Sequence, residues 1–161
     1  MLQASLQHAG IRLKPRTLMN VQFHYIADEV WLRRCWPVFS QLRPDLSEEE
    51  FVERWRAQDA EGYRILSARK GDVILGAAGF RFLTTMAWGR ILYLDDLIVD
   101  DTVRGAGLGS RLLDKLKDLA QEEGCRQVHL DTGYHRHAAH RVYARNGFQF
   151  NCHHLAFTLP L

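Results

Sequence analysis

An apolar strand, a glycine-rich loop and an amphipathic helix follow one another without interruption between Leu92 and Leu113. Glycine occupies alternate positions at Gly105, Gly107 and Gly109, and leucines then recur at helical spacing. This order places the free backbone N–H groups of a helix N-terminus directly after a strand, where glycines let a ligand approach the backbone. Because orphan amides and the helix dipole both favour an anion, the stretch predicts a binding site for phosphate.

Two common phosphate-binding motifs do not fit this loop. A Walker A loop requires Gly-Lys followed by Ser or Thr, whereas Gly109 is followed by Ser110 and Arg111. A dinucleotide-binding fingerprint requires a further glycine three residues after Gly107, where this chain has Ser110, and it normally follows the first strand of its fold. A nucleotide-binding module is therefore disfavoured.

The composition is typical of a globular protein. Of the 161 residues, 47% are hydrophobic and 25% are charged, which fits one domain with a real core. A net charge of +2 with dispersed basic residues predicts no nucleic-acid partner, and no apolar run is long enough to span a bilayer. Cys35, Cys125 and Cys152 are odd in number and widely spaced, which favours thiols over a disulfide framework. We expect a cytoplasmic protein, with residues 1–17 as a tail or loosely docked arm and residues 18–161 as a single domain.

Hydrophobic periodicity and turn signals predict six strands and four helices. Asp28 is a predicted helix cap, Pro37 a predicted kink or break in the same helix, and Ser47 forms a predicted capping box with Glu50. Consecutive strands followed by a strand-helix-strand unit indicate a mixed α/β (α+β) fold. The predicted strands are 21–26, 63–68, 73–83, 90–99, 127–131 and 148–159, and the predicted helices are 29–42, 48–61, 108–123 and 136–145.

Three segments in this order resemble the GNAT N-acetyltransferase superfamily. Arg104-Gly105-Ala106-Gly107-Leu108-Gly109 resembles the Gln/Arg-x-x-Gly-x-Gly/Ala loop of that family, which binds the pyrophosphate of acetyl-CoA. The segment 93–99 looks like its central strand, and 139–148 looks like its Ala-x-x-x-Tyr-x-x-x-Gly-Phe segment. The resemblance covers about residues 20–159 and implies a central mixed antiparallel and parallel sheet flanked by about four helices.

The resemblance also implies how the co-substrate acetyl-CoA is held. Glycines of the loop let the backbone approach the phosphates, and the strand before the loop pairs with the pantetheine arm like an added strand. The family often has Asn seven residues before its tyrosine; this chain has Arg136, so either that contact is lost or Arg136 reaches a phosphate. The expected cofactor-binding residues are Leu97, Ile98, Val99, Arg104, Gly105, Ala106, Gly107, Leu108, Gly109, Ser110 and Arg136.

Three residues are candidates for catalysis. The acceptor amine must lose a proton, and Asp95 and Asp96 occupy the usual acidic site of the family's strand. Because successive side chains of a regular strand face opposite ways, only one of them would reach the cleft unless a bulge intervenes. We favour Asp95 as base or amine anchor, with Asp96 as the close alternative, although either could simply pair with nearby arginines. Tyr143 matches the family's general acid, which protonates the leaving thiolate, and the alternative is a tyrosine of the core.

Together these features predict an acetyl-CoA-dependent N-acetyltransferase that acts by direct attack in a ternary complex. The alternative is a CoA-binding regulatory or interaction domain without catalysis. The acceptor is expected to be a small-molecule or peptide amine, and dimers are common in the family, so a homodimer is allowed. Histidines crowd the C-terminal third, but they lack partners at a recognisable ligand spacing, so no metal is expected.

Overall fold

The computed structural model describes Leu18 and residues 20–160. The predicted tail at 1–17 lies outside the described residues. A short 3₁₀ turn at Asp101–Val103 connects the fourth strand to the third helix. In chain order the elements are β1 (Gln22–Tyr25), α1 (Glu29–Leu42), α2 (Glu48–Ala60), β2 (Arg64–Lys70), β3 (Val73–Thr85), β4 (Gly89–Val99), α3 (Leu108–Glu122), β5 (Gln127–Leu130) and α4 (His137–Arg145).

The strands form one mixed sheet in the order β1-β2-β3-β4-β5. Neighbours are antiparallel from β1 to β4, and β5 runs parallel to β4 after the crossover through α3. With four helices packed on this sheet, the predicted mixed α/β (α+β) architecture is confirmed.

The two faces of the sheet bury two separate hydrophobic clusters. Ile65 and Ile74 pack with α1 and α2, whereas the next residues along each strand, Leu66 and Leu75, pack with α3. This alternation follows from the two-residue period of a strand. Helix α3 contributes the leucine stripe that its sequence predicted, and Leu112, Leu113 and Leu116 are fully buried. The sheet therefore has helices on both faces.

The predicted helix caps of α1 and α2 are confirmed. The Trp31 amide donates to Asp28 Oδ1 over 2.9 Å, and Ser47 and Glu50 form a reciprocal capping box. Of the kink or break predicted at Pro37, the break does not occur, because α1 continues through this residue. Proline costs the helix one hydrogen bond, but buried side chains on both sides of it, Leu32 to Phe39, face the same cluster and hold the helix continuous.

The predicted last strand at 148–159 is also wrong. The structure assigns no strand to this segment, and residues 149–160 are exposed, including Phe150, Leu155, Phe157 and Leu159. The apolar alternation is present, but a strand also needs a neighbouring edge to bond to, and tertiary context decides whether one is available. Here the segment is held by side-chain contacts instead, among them His154 Nδ1 to Asp131 Oδ2 at 3.1 Å.

Two irregularities in β4 shape the rest of the molecule. Gly79 of β3 lies opposite Asp96, but the next residue, Phe80, lies opposite Leu94, so Asp95 is the extra residue of a β-bulge. On the other side of β4, pairing with β5 ends at Leu94. Within the described residues, β4 therefore has no strand neighbour on that side from Asp95 to Val99.

Candidate active site

The glycine loop joins β4 to α3 in the conformation that its glycines allow. Gly105 has φ +82° and Gly107 has φ +86°, a left-handed region that other residues rarely adopt. Gly107 caps α3 without a side-chain hydrogen bond, and the first turn of α3, which the structure describes completely, holds no acidic residue. The first amides of this helix are therefore presented by backbone alone, which suits an anion.

Side chains from two helices hold the loop in place. Arg104 donates from Nε to the Val99 carbonyl over 3.0 Å and from Nη2 to Gln41 Oε1 over 3.1 Å. Gln41 of α1 in turn donates to Asp100 Oδ2 over 3.0 Å. At the other side, Asn146 after α4 donates to the Ser110 hydroxyl over 2.9 Å. The Arg104 guanidinium thus stabilises the loop through hydrogen bonds to the Val99 carbonyl and to Gln41, a role that the sequence did not indicate.

The unpaired part of β4 begins where the acidic pair stands. Because β5 stops pairing at Leu94, the backbone groups of Leu97, Ile98 and Val99 have no described strand partner on that side, and Leu97 lines a cleft there. Extended ligands bind such an edge through main-chain hydrogen bonds, as an added strand does. The edge leads directly from the acidic pair to the glycine loop.

The bulge lets both acidic side chains reach this cleft. Asp95 is paired with Arg81 of β3, whose Nε lies 3.0 Å from Asp95 Oδ2. Burial raises the pKa of Asp95, and the Arg81 guanidinium opposes that rise without cancelling it. In a regular strand one of the two acids would have pointed away, so the bulge removes the restriction expected from the sequence.

Asp96 has different partners, from elements remote in sequence. Arg43, which follows α1, donates from Nη2 to Asp96 Oδ1 over 2.6 Å. The Tyr63 hydroxyl donates to Asp96 Oδ2 over 2.8 Å. The Asp96 side chain is 12% exposed, so both oxygens of a mostly buried carboxylate are hydrogen-bonded.

Tyr143 of α4 also lines the cleft. It is 9% exposed and packs edge-on against Phe148 with ring centroids 5.7 Å apart. Burial raises the pKa of Tyr143, and Arg136 opposes the shift. The phenol therefore keeps its proton at neutral pH, as a group that donates a proton must.

Two adjoining cavities meet at Asp96. The cleft, of about 1000 Å³, is lined by Asp95, Asp96, Leu97 and Tyr143 among others. A second space of about 900 Å³, which we call the helix-side cavity, lies between α1, α2 and the sheet. Leu42, Arg43, Asp96 and Arg136 line both.

The expected site residues thus divide into two groups. Asp95, Asp96, Leu97, Tyr143 and Arg136 are brought together around the cleft, with Arg136 at the N-terminus of α4. The glycine loop lies at the far end of the unpaired edge and lines neither of these two cavities.

Sequence reasoning missed three polar partners of the acidic pair, namely Arg43, Tyr63 and Arg81. One signal pointed to Tyr63, because Gly79 in a buried strand predicts the close approach of another group. No local sequence signal indicated that Arg43 and Arg81 would contact the acidic pair.

Within the described residues, no group of three or more His, Cys, Asp or Glu is arranged to hold a metal ion. Over the same residues, no helix is long and apolar enough to cross a membrane.

Comparison with known proteins agrees with this geometry. The model of the Acetyltransferase (GNAT) family matches residues 29–148. The uncharacterized N-acetyltransferase YhdJ of Bacillus subtilis is 30% identical over 71% of this chain and 81% of its own length. A second Bacillus subtilis protein, the uncharacterized N-acetyltransferase YhfO, is 29% identical over 70% of this chain and 80% of its own.

Solved structures share the fold. An acetyltransferase of Trypanosoma brucei superposes with a TM-score of 0.71 at 22% identity, covering 87% of this chain and all (100%) of that one. The aminoglycoside N-acetyltransferase AAC(6')-Iy, solved in complex with CoA, gives a TM-score of 0.75 at 15% identity over 88% of this chain and 96% of its own.

The mixed sheet that opens beside β4, with the glycine loop at the end of that opening, has the fold of the acetyltransferase structures named above. The chain belongs to the GNAT acetyltransferase family. It is an N-acetyltransferase, and the family assignment supports acyl transfer from acetyl-CoA.

Proposed function

We propose that the protein transfers the acetyl group of acetyl-CoA to a primary amine, which attacks directly while both substrates are bound. The observation that carries this proposal is the convergence of Asp95, Asp96 and Tyr143 on one cleft beside the unpaired edge of β4. When bound, acetyl-CoA supplies an activated thioester carbonyl and a thiolate leaving group.

The chain's own groups fit that co-substrate. Backbone amides of Gly107 to Ser110 at the start of α3 would hold the pyrophosphate, since they have a favourable dipole and no competing acid in that turn. The backbone of Leu97, Ile98 and Val99 would pair with the pantetheine arm. Arg136 would reach a phosphate from the N-terminus of α4. Arg104 and Ser110 would keep the loop in shape through their contacts to Val99, Gln41 and Asn146.

Asp95 is proposed as the proton acceptor and Asp96 as the anchor for the amine. An alkyl ammonium has a pKa of about 10, so it must give up a proton before it attacks. Within the described residues, only Oδ2 of Asp95 has a hydrogen-bond partner, so Oδ1 is available, and burial raises the pKa of this carboxyl toward that of an effective base. Asp96 stands where the two cavities meet, and each of its oxygens, although bonded to Arg43 or Tyr63, keeps a second acceptor site for an ammonium.

Tyr143 is proposed to donate its hydroxyl proton to the sulfur as the carbon–sulfur bond breaks. Its raised pKa keeps the phenol protonated until that step. Asp95 takes the proton that the ammonium loses before attack and later releases it to solvent. After attack the nitrogen loses a second proton, which returns to the Tyr143 phenolate and restores the phenol, so the products are the amide, the free thiol and one released proton.

The acceptor is proposed to be a small-molecule or peptide amine that enters through the helix-side cavity. Aromatic rings of Phe39, Phe51 and Trp55 line that cavity, which suits an apolar or aromatic group next to the amine.

A net charge of +2 supports a reaction without nucleic acid, and the three free cysteines support a cytoplasmic location. Both clusters share one sheet, which supports residues 18–161 as a single acetyltransferase domain.

A homodimer is proposed through the C-terminal segment. Leu155, Phe157 and Leu159 occupy every second position of an exposed segment. Strand β5 pairs with β4 along one edge, and no described strand covers its other edge. A second copy would supply the missing partner by strand addition. Light scattering should then give twice the mass of 18.6 kDa, and Phe157→Asp should give the monomer. A monomer for the unchanged chain would refute the dimer and leave the catalytic proposal intact.

Thermal shift with acetyl-CoA, CoA, ATP and NAD tests the co-substrate. We expect stabilisation by acetyl-CoA and CoA alone, and no shift with either would refute the central claim. Release of thiol from acetyl-CoA is then measured with tyramine, tryptamine, spermidine, lysine and an alanyl peptide. Amine-dependent release supports the enzyme, whereas CoA binding without release for any amine would favour the regulatory domain.

A further inference from the structure

Tyr63 is a buried tyrosine whose hydroxyl ends at the acidic pair. Its residue is 3% exposed and immediately precedes β2, and its hydroxyl donates to Asp96 Oδ2 over 2.8 Å. The ring also lines the helix-side cavity. Burial raises the pKa of Tyr63 well above its ordinary value, so the phenol remains a hydrogen-bond donor across the physiological range.

The path of the Tyr63 side chain crosses the position of Gly79. A Cβ atom at Gly79 would lie 1.8 Å from the Tyr63 hydroxyl and 2.4 Å from its Cζ, closer than any real contact. Gly79 is also the residue opposite Asp96, directly beside the bulge. The absence of a side chain at Gly79 is therefore what lets the phenol reach across the sheet to Asp96.

An aspartate side chain has two rotatable bonds, and here donors from two remote segments hold its two oxygens. Tyr63 holds Oδ2 from the start of β2, and Arg43 holds Oδ1 over 2.6 Å from the end of α1. The Arg43 side chain is 47% exposed, whereas Tyr63 is enclosed, so Tyr63 is the more rigid of the two supports. Loss of the Tyr63 hydroxyl would leave Asp96 supported by the more exposed Arg43 side chain alone.

We propose that Tyr63 is a positioning residue that fixes the orientation of the Asp96 carboxylate toward the acceptor amine, and that Gly79 provides the space for it. This inference rests on the proposed role of Asp96 as the amine anchor. Tyr63 acts through Asp96, so it affects acceptor binding and leaves the binding of acetyl-CoA at the loop and at the β4 edge unchanged.

Steady-state kinetics of Tyr63→Phe test the proposal, with the amine of the panel above that releases thiol fastest. A hydrogen bond to a charged group is lost, so the acceptor KM should rise about tenfold, while the KM for acetyl-CoA should stay within about twofold. Tyr25→Phe is the matched control, because Tyr25 lies on β1 of the same sheet, is 55% exposed and lines neither cavity. This control should leave both constants unchanged.

Gly79→Ala adds a coupling test. The new Cβ displaces the Tyr63 ring, so the acceptor KM should rise at least as much as in Tyr63→Phe. If Gly79 acts through the Tyr63 hydroxyl, the double variant should be no worse than Gly79→Ala alone, whereas independent effects would multiply. Thermal melts monitor folding, and the decision rests on Tyr63→Phe if Gly79→Ala does not fold.

The outcomes separate this inference from the function on which it rests. A raised acceptor KM in Asp96→Asn with an unchanged one in Tyr63→Phe would overturn the role of Tyr63 and keep that of Asp96. An unchanged acceptor KM in both variants would overturn the proposed anchor itself. A lower melting temperature of Tyr63→Phe with both KM values unchanged would show that the hydroxyl has a structural role only, which also refutes the proposal.

Discussion

Arg81 and Asp95 face each other across β3 and β4, with Arg81 Nε 3.0 Å from Asp95 Oδ2 and about four-fifths of each side chain buried (20% and 21% exposed). Two opposing effects act on this carboxyl. Burial disfavours its charged form and raises its pKa, while the guanidinium favours the charged form. The net shift is upward, so Asp95 is more basic than an exposed aspartate.

Arg81→Gln should therefore move the acid limb of the pH profile of kcat toward higher pH. The base is active when ionised, so activity rises with pH through the pKa of Asp95, and removal of the cation raises that pKa further. The check is the pH dependence of thiol release at saturating substrates, with Arg64→Gln as control, because Arg64 pairs with Asp59 at the surface. An acid limb that stays in place would contradict the base role of Asp95, as would a limb that persists in Asp95→Asn.

Tyr143→Phe should lower kcat by about 100-fold or more with little change in the KM for acetyl-CoA, since a positioned general acid contributes roughly that factor. Burial raises the pKa of Tyr143, so the unchanged enzyme should show no alkaline decline from this residue until pH exceeds the ordinary tyrosine value of 10.0. Stopped-flow measurement of thiol release gives both the loss of kcat in the variant and the alkaline limb of the unchanged enzyme. Thiol release at the wild-type rate would mean that Tyr143 is a core residue, and Tyr25→Phe again shows the effect of removing a remote hydroxyl.

Gly107→Ala and Gly109→Ala form a matched pair in the loop. Gly107 has φ +86°, so an alanine there should cost about 1 kcal/mol of stability through backbone strain. Gly109 lies inside the first turn of α3, where a Cβ would meet Val99 and Val142 at 3.7 and 3.9 Å, which are ordinary contacts. Its alanine variant should be as stable as the parent or slightly more so. Denaturant unfolding compares the two, and equal losses would show that positive φ does not constrain this cap.

How much of the fold the sequence predicted depends on how local each signal is. The capping box of Ser47 and Glu50 and the leucine stripe of α3 are set by neighbouring residues, and both were predicted correctly. The C-terminal strand was not, because the alternation of Leu155, Phe157 and Leu159 describes a strand only if an edge is there to receive it. The break allowed at Pro37 is absent for the same reason, since burial on both sides of it outweighs one lost hydrogen bond.

The candidate site shows the same division. The acidic pair and Tyr143, which the sequence singled out, line one cleft, whereas the glycine loop lines neither cavity. The partners of Asp96 could not be predicted from the sequence, because Arg43 and Tyr63 lie 53 and 33 residues away from it and contact it only through the packing of α1 and β2. The bulge at Asp95 was foreseen as an option but not located, since register depends on both strands.

Arg136 stands where the family often has asparagine, and its place at the wall of both cavities gives two testable outcomes. If it contacts a phosphate of CoA, Arg136→Gln should weaken CoA about tenfold, because a charged hydrogen bond is lost, and should leave pantetheine unaffected because pantetheine has no phosphate. Isothermal titration with both ligands measures this, and Arg141→Gln, an exposed arginine of α4 that lines neither cavity, is the control. Equal affinities for CoA before and after the change, together with a raised acceptor KM, would place Arg136 on the amine side instead.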